Sequence, residues 1–176
     1  MLEVLQYDFI QNALIAGVLI SIAAGIIGSL VVVNKITFLT GGIAHSSYGG
    51  IGLAIYLGLP VLFGATVFAV LTAVIIAIIT LNNRNRIDAI IGMMWASGMA
   101  IGIIFVDLTP GYNVDLMSYL FGSIIAVSND DLIYMSILDI FIISIVVFFY
   151  KQILAVSYDS EFASLRGINV KFFYTL

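Results

Sequence analysis

Most of this chain consists of long apolar stretches separated by short polar gaps. Each stretch is long enough to cross the roughly 30 Å hydrocarbon core of a bilayer as a helix that rises about 1.5 Å per residue. Four stretches carry no charge, and the fifth carries only Asp139. The pattern predicts an all-α polytopic membrane protein with about five transmembrane helices, at residues 9–34, 36–59, 61–83, 89–106 and 132–150.

One further apolar segment, at residues 116–127, is too short to cross a bilayer as a helix. If it did cross, the acidic pair Asp130 and Asp131 would move to the basic side of the membrane. We therefore predict a re-entrant or interfacial segment at the outer face, which either lines a pathway or packs against the spans.

If the chain crosses the membrane at each span in turn, all the basic residues lie on one side: Lys35, Arg84, Arg86, Lys151, Arg166 and Lys171. Basic residues in short loops mark the cytoplasmic side. The chain is therefore predicted to be a multi-pass protein of the plasma or inner membrane, with its N-terminus outside and residues 157–171 in the cytoplasm.

Composition excludes several classes of protein. The chain is 62% hydrophobic and 9% charged, with a mean hydropathy of +1.21, which is not the balance of a soluble domain. There is no basic face for nucleic acid, and no cysteine for a disulfide or a thiolate metal site. No linker or soluble segment stands out, so residues 1–176 are predicted to form a single transmembrane domain.

Small residues repeat every four positions on three of the predicted spans. Gly17, Ser21 and Gly25 do so on the first span, and Gly98 and Gly102 on the fourth. The second span has a continuous stripe of Gly42, Ser46, Gly50, Ala54 and Gly58. Such stripes let helix backbones approach closely in lipid. For the second span, helix packing and a substrate pathway both stay open, with Gly41, Gly42, Ser46, Gly49 and Gly50 as the candidate residues.

Two ionisable side chains fall within predicted spans. Such groups are costly in a membrane, so a functional role is the default hypothesis for each. His45, the only histidine, is either a transient metal ligand or a neutral group bonded to a neighbour such as Ser46, Ser47 or Tyr48. Asp139 is a candidate metal ligand, a proton-handling group or part of a polar seam between helices. Met93, Met94 and Met99 are predicted to fill the core.

The segment at residues 157–171 has a short amphipathic pattern on the predicted cytoplasmic side. Phe162, Ala163, Leu165 and Ile168 supply its apolar positions, and Gly167 stands where a helix would end. The pattern predicts a short helix that either docks on a soluble partner or rests on lipid headgroups.

These residues carry a resemblance to a known family. Glu161-x-Ala163-x-x-x-Gly167 resembles the coupling loop by which ABC importer permeases contact their ATPase. Three ordered blocks, KITFLTGGIAHSSYGGIGLAIYLGLP, DLMSYLFGSIIAVS and YDSEFASLRGI, are similar to the ABC permease family for zinc, manganese and iron. The resemblance implies a permease homodimer, two cytoplasmic ATPases that bind ATP, and an external binding protein that delivers the metal. The ATPase-coupling residues would be Asp159, Glu161, Phe162, Ala163 and Gly167.

Two departures from the family pattern stand out. The family commonly has an acidic residue one helical turn before the histidine, and this chain has Gly41 there. The chain also ends where a sixth span would begin, so we expect a truncated product, a fragment or a short subunit.

The predicted function is therefore alternating-access import of a divalent transition metal, with ATP hydrolysis in the partner and no enzymatic activity in this chain. Two other readings stay open. A proton-coupled carrier would use Asp139 and His45 as a relay, and a membrane scaffold would use both only for packing. Neither explains the coupling pattern.

Overall fold

The structure is a computed structural model that describes residues 7–81, 87–111 and 122–176. Within these ranges the chain forms helices and no strand, which confirms the all-α class. The helices are α1 (Asp8–Val33), α2 (Thr37–Ser46), α3 (Tyr48–Leu57), α4 (Val61–Thr80), α5 (Ile87–Asp107), a 3-10 turn (Ile124–Ala126), α6 (Asn129–Phe148), α7 (Tyr150–Tyr158), α8 (Ser160–Leu165) and α9 (Val170–Thr175).

Four of these helices, α1, α4, α5 and α6, are long and apolar enough to cross a membrane. They match the first, third, fourth and fifth predicted spans within a few residues at each end. Most of their side chains are not covered by other parts of the protein: the buried residue of α1 is Ala16 and that of α6 is Asp139. Exposed apolar helices of this length are those of a multi-pass membrane protein, in which lipid covers the outer surface.

The second predicted span is divided into two ten-residue helices, α2 and α3, by a turn at Ser47. Ser47 has ψ −17°, closer to a 3-10 than to an α conformation, and its amide oxygen accepts from Gly50 N at 2.9 Å. The hydroxyls of Ser46 and Ser47 each donate to a carbonyl three residues back, at 3.0 and 2.7 Å. Hydrogen bonds from serine side chains to carbonyls of the preceding turn often bend a helix, and so do neighbouring glycines.

Parts of the sequence predictions lie outside the described residues. These are residues 116–121 of the predicted re-entrant segment and the loop with Arg84 and Arg86. In the described part of that segment, residues 122–127, Gly122 has φ +68° and is followed by the 3-10 turn. A re-entrant or interfacial path therefore stays a prediction.

The helices group into two compact units, each built from separated parts of the chain. The first unit contains α1, the 3-10 turn, α6, α7 and α8. Asn12 Nδ2 on α1 donates to Val127 O at 3.1 Å and to Asn129 Oδ1 at 3.0 Å. At the other end of α1, Asn34 Nδ2 donates to Ser157 Oγ at 3.0 Å. Polar side chains thus bond both ends of α1 to later segments of the same unit.

The second unit contains α2 to α5 and α9, with an apolar core around Ile76, Ile90 and Ile91. Along α2 and α3, successive close contacts meet α5 in increasing residue order, from Ile91 to Gly102. α4 meets α3 in the opposite order, because Gly49 faces Phe68 while Gly50 faces Gly64. The second and fourth predicted spans therefore run parallel and the third antiparallel, as alternate crossings of a membrane require.

Candidate substrate pathway and coupling helix

α3 packs against α4 and α5 through glycines that face backbone atoms. A Cβ on Gly52 would meet the carbonyl oxygen of Gly102 and lie 2.7 Å from its Cα. A Cβ on Gly64 would lie 2.5 Å from the carbonyl oxygen of Gly50, and one on Gly102 would lie 2.5 Å from that of Tyr48. Real Cβ atoms do not approach backbone so closely. Only glycine permits these three helices to meet at this distance.

Two adjacent glycines on α2 have opposite surroundings. A Cβ on Gly42 would collide with the Cγ2 of Ile91 on α5, and Gly42 is buried. Gly41 is half-buried, and a Cβ built there meets nothing within 4 Å. Gly42 is therefore needed for helix packing, whereas the position one turn before His45 has open space for a side chain.

His45 stacks on Trp95, which lies on α5. The two ring centroids are 4.1 Å apart and the ring planes differ by 5°. The indole Nε1 of Trp95 in turn donates to Met99 Sδ at 3.0 Å, and Phe38, two turns before His45, lies 6.2 Å from the indole in a tilted arrangement. The imidazole is thus placed by an aromatic face rather than by a polar neighbour.

The hydrogen-bonded alternative for His45 does not appear among the described residues. Its Nδ1 is buried and has no partner there. The serines predicted as partners donate to their own helix instead, Ser46 to Ile43 O and Ser47 to Ala44 O. The buried hydroxyl of Tyr48 likewise has no partner among the described residues.

Asp139 is the buried charged residue of the first unit, at the middle of α6. Its Oδ2 is buried and has no hydrogen-bond partner in the part of the chain that the structure describes. His45 belongs to the second unit. Within the described ranges, no group of three or more His, Asp or Glu residues is placed to hold a metal ion.

The predicted short helix at residues 157–171 is α8, and its two ends are fixed by local hydrogen bonds. Asp159 is the N-cap: its Oδ1 accepts from the backbone amides of Glu161 and Phe162 at 3.0 and 2.9 Å. At the C-terminal end, Gly167 has φ +77°. Gly167 N donates to Ser164 O at 3.0 Å and Ile168 N to Ala163 O at 3.1 Å, which is a Schellman motif.

α8 has one buried side and one strongly exposed apolar side. Ala163 is fully buried. Phe162 and Leu165 are 51% and 88% exposed, and Tyr158, the last residue of α7, is 77% exposed. The Arg166 guanidinium lies 5.0 Å from the centre of the Phe162 ring. Neighbouring apolar side chains so exposed, on a helix with fixed ends, form a surface suited to binding another molecule.

Comparison with known proteins places these features in a family. Residues 6–176 match the ABC 3 transport family. The chain belongs to this family. A membrane protein of Synechocystis sp., named as uncharacterized membrane protein slr2045, is 45% identical over 99% of this ABC 3 family chain. A manganese transport system membrane protein, MntC of Listeria monocytogenes, is 32% identical over 97% of it.

A solved structure has the same fold. A chain of PsaBC from Streptococcus pneumoniae, in complex with a Fab, matches 99% of this ABC 3 family chain with a TM-score of 0.79 and 30% identity. The chain covers 64% of that solved chain, and 62% and 60% of the Synechocystis and Listeria relatives. It thus spans about three fifths of the proteins that it resembles.

The sequence prediction for this ABC 3 family chain singled out His45 and the residues of α8 but not Trp95. The pairing of Trp95 with His45 joins two helices that are far apart in the sequence, and no local pattern encodes it. One weak signal was present: the spacing Trp95-x-x-x-Met99 places the sulfur one helical turn from the indole.

Proposed function

We propose that this chain is membrane-spanning permease sequence of an ATP-driven importer for a divalent transition metal ion, with zinc, manganese and iron as candidates. The coupling helix α8 carries the proposal. Its capped ends and exposed Phe162 and Leu165 suit a surface that binds a partner, and ABC 3 family membership supports an ATPase as that partner. The Listeria relative, named for manganese transport, supports a metal as the substrate.

The proposed mechanism is alternating access without chemistry on the substrate. ATP binding closes a dimer of ATPase subunits, and α8 passes the motion to the spans of a permease homodimer. The route within the first unit is short: Asp159, the N-cap of α8, directly follows α7, and Ser157 on α7 is bonded to Asn34 at the end of α1. ATP hydrolysis belongs to the partner subunit.

In the same proposal, an external binding protein delivers the metal to a pathway beside α2 and α3. His45 is a transient ligand there. Asp139, on α6 of the first unit, is a separate candidate ligand. Few charged groups near His45 suit an ion that has to be released inward. Gly41, with open space around it, faces the pathway, while Gly42, Ser46, Gly49 and Gly50 hold the neighbouring helices.

The orientation is part of the proposal, with the N-terminus of α1 outside and α8 in the cytoplasm of a plasma or inner membrane. A single cysteine at Leu59 should react with a membrane-impermeant thiol reagent added to intact cells, and one at Ser157 should not. Reaction at Ser157 but not at Leu59 would reverse the orientation and remove α8 from the ATPase side.

The decisive experiment measures ATP hydrolysis and metal uptake by the permease reconstituted with its ATPase. Phe162→Ala and Leu165→Ala should weaken ATPase binding about tenfold, because exposed apolar anchors dominate many interfaces. Gly167→Val should uncouple hydrolysis from uptake, because a β-branched residue is strained at φ +77°. Ser164→Ala, an exposed position on the same helix, is the matched control.

Normal ATPase binding and coupled uptake in all three variants would make α8 an ordinary interfacial helix. A proton-coupled carrier is the alternative, and it is favoured by the buried Oδ2 of Asp139, which has no hydrogen-bond partner among the described residues. Uptake that follows a pH gradient without ATP, and that Asp139→Asn abolishes, would support that alternative instead.

A further inference from the structure

We propose that Trp95 is the positioning residue for His45, and that the indole fixes the plane of the imidazole that contacts the transported metal. The inference rests on the proposed function of His45. It assigns a specific task to a residue on α5 that contacts no substrate itself.

His45 lacks the usual means by which a ligating imidazole is oriented. A histidine that binds a metal through one ring nitrogen generally donates its other N–H to a carboxylate or carbonyl, which fixes the ring. Here Nδ1 is buried without a partner among the described residues. The parallel stack on Trp95, at 4.1 Å and 5°, restrains the same rotation by covering one face of the ring.

The indole of Trp95 is itself held firmly. Its N–H is bonded to Met99 Sδ, and Phe38 packs at a tilt beside it. The backbones of the two helices are also locked on either side of the stack. Gly42 on α2 contacts Ile91 on α5, and a Cβ on Gly98 would lie 2.5 Å from Ser46 Cα.

A metal ion approaches a histidine in the plane of the ring, along the nitrogen lone pair, so a partner on the ring face leaves that approach free. An indole face also attracts positive charge. The stack therefore favours the metal-bound imidazole over the free one, without adding a ligand that would slow release.

The test uses metal uptake by the reconstituted transporter, with zinc and manganese as probes. Trp95→Leu removes the stack and should raise the KM for the metal about tenfold, the lower end of the effect of losing a partner that orients a ligand. The maximal rate per assembled transporter should change little. Trp95→Phe keeps an aromatic face and should restore most of the affinity.

A matched control is available farther along α5, where this helix packs against α3. Phe105 on α5 packs against Tyr56 on α3, with ring centroids 5.4 Å apart and no histidine nearby in the stack. Phe105→Leu removes an aromatic pair between helices and should leave the KM unchanged. An equal rise in KM for Phe105→Leu and Trp95→Leu would overturn the proposal, because both would then act through general packing.

A spectroscopic measurement separates this proposal from the proposed function. The sequence has one tryptophan and one histidine, so the fluorescence difference between the purified permease and its Trp95→Phe variant reports on the stack. Zinc should change that difference signal saturably, and His45→Asn should abolish the change. A KM that Trp95→Leu leaves unaltered, while His45→Asn abolishes uptake, would overturn only the role of Trp95. Full uptake by His45→Asn would instead overturn the role of His45 in the proposed function.

Discussion

The two units of this protein hold their helices together in different ways. In the second unit, glycines on α3, α4 and α5 face the backbone of the next helix, with no room for a Cβ at Gly50, Gly52 or Gly64. In the first unit, no described glycine would place a Cβ closer than 3.9 Å to a neighbour. There the ends of α1 are instead held by the side-chain bonds of Asn12 and Asn34.

The difference concerns how strictly each unit is fixed. Backbone-to-backbone contact sets the separation and the register of two helices together, since any larger residue separates them. A side-chain hydrogen bond between membrane helices contributes only about 0.6 kcal/mol on average. We therefore expect the second unit, which contains His45, to be the more rigid of the two. The first unit, which carries α8, should tolerate more substitution.

The largest expected effect is that of Gly52→Ala. The new methyl group would meet the backbone of Gly102, and overpacking of this kind costs about 3 kcal/mol at the upper end of its usual range. Thermal unfolding of the detergent-solubilised protein would measure the loss. Gly28→Ala in α1 is the control, because nothing lies within 4 Å of its Cβ position. Equal destabilisation by the two changes would remove the contrast between the units.

Adjacent glycines on α2 provide a sharper comparison within the second unit. Gly42→Asp should destabilise the fold by about 2 kcal/mol or more, because a carboxylate would be forced against Ile91. Gly41→Asp should leave stability nearly unchanged and alter the preference among zinc, manganese and iron in competitive uptake. Unchanged transport by a well-assembled Gly41→Asp protein would mean that this face of α2 does not line the pathway.

Lys35 offers a smaller effect at the end of α1. It has φ +57°, a left-handed conformation that costs a residue with a Cβ roughly 1 kcal/mol. Lys35→Gly should therefore stabilise the protein by up to about 1 kcal/mol in thermal unfolding. Lys35→Ala removes the same charge without relieving the backbone, and an equal gain from that variant would show that charge, not conformation, is responsible.

The smallest effect is expected for the bond between Asn34 and Ser157. A double-mutant cycle of Asn34→Ala and Ser157→Ala should give an interaction free energy of about 0.6 kcal/mol. The ATP hydrolysed per metal ion imported would show whether the bond also transmits motion from α8. Strict additivity in both measurements would mean that the two side chains act independently.

Much of the architecture could be predicted because it depends on local properties of the sequence. Apolar runs such as residues 61–83 have few alternatives to a helix in lipid, where every backbone polar group needs an internal partner. Asp159 and Gly167 mark the two ends of α8 through hydrogen bonds to residues two or three positions away. The division of the second span at Ser47 was missed, because the serine and glycine residues there also fit a continuous packing stripe.

The sequence by itself determined the positions of the four long helices, and it identified His45 and α8 as the candidate functional elements. Only the tertiary structure decided that Trp95 stacks on His45, that Gly42 is enclosed while Gly41 is open, and that Asp139 is buried. The physical reason is that an apolar helix face can contact lipid as favourably as another apolar helix, so hydrophobicity alone does not drive two membrane helices together. The choice of neighbours therefore depends on the fit of particular surfaces, which no local pattern contains.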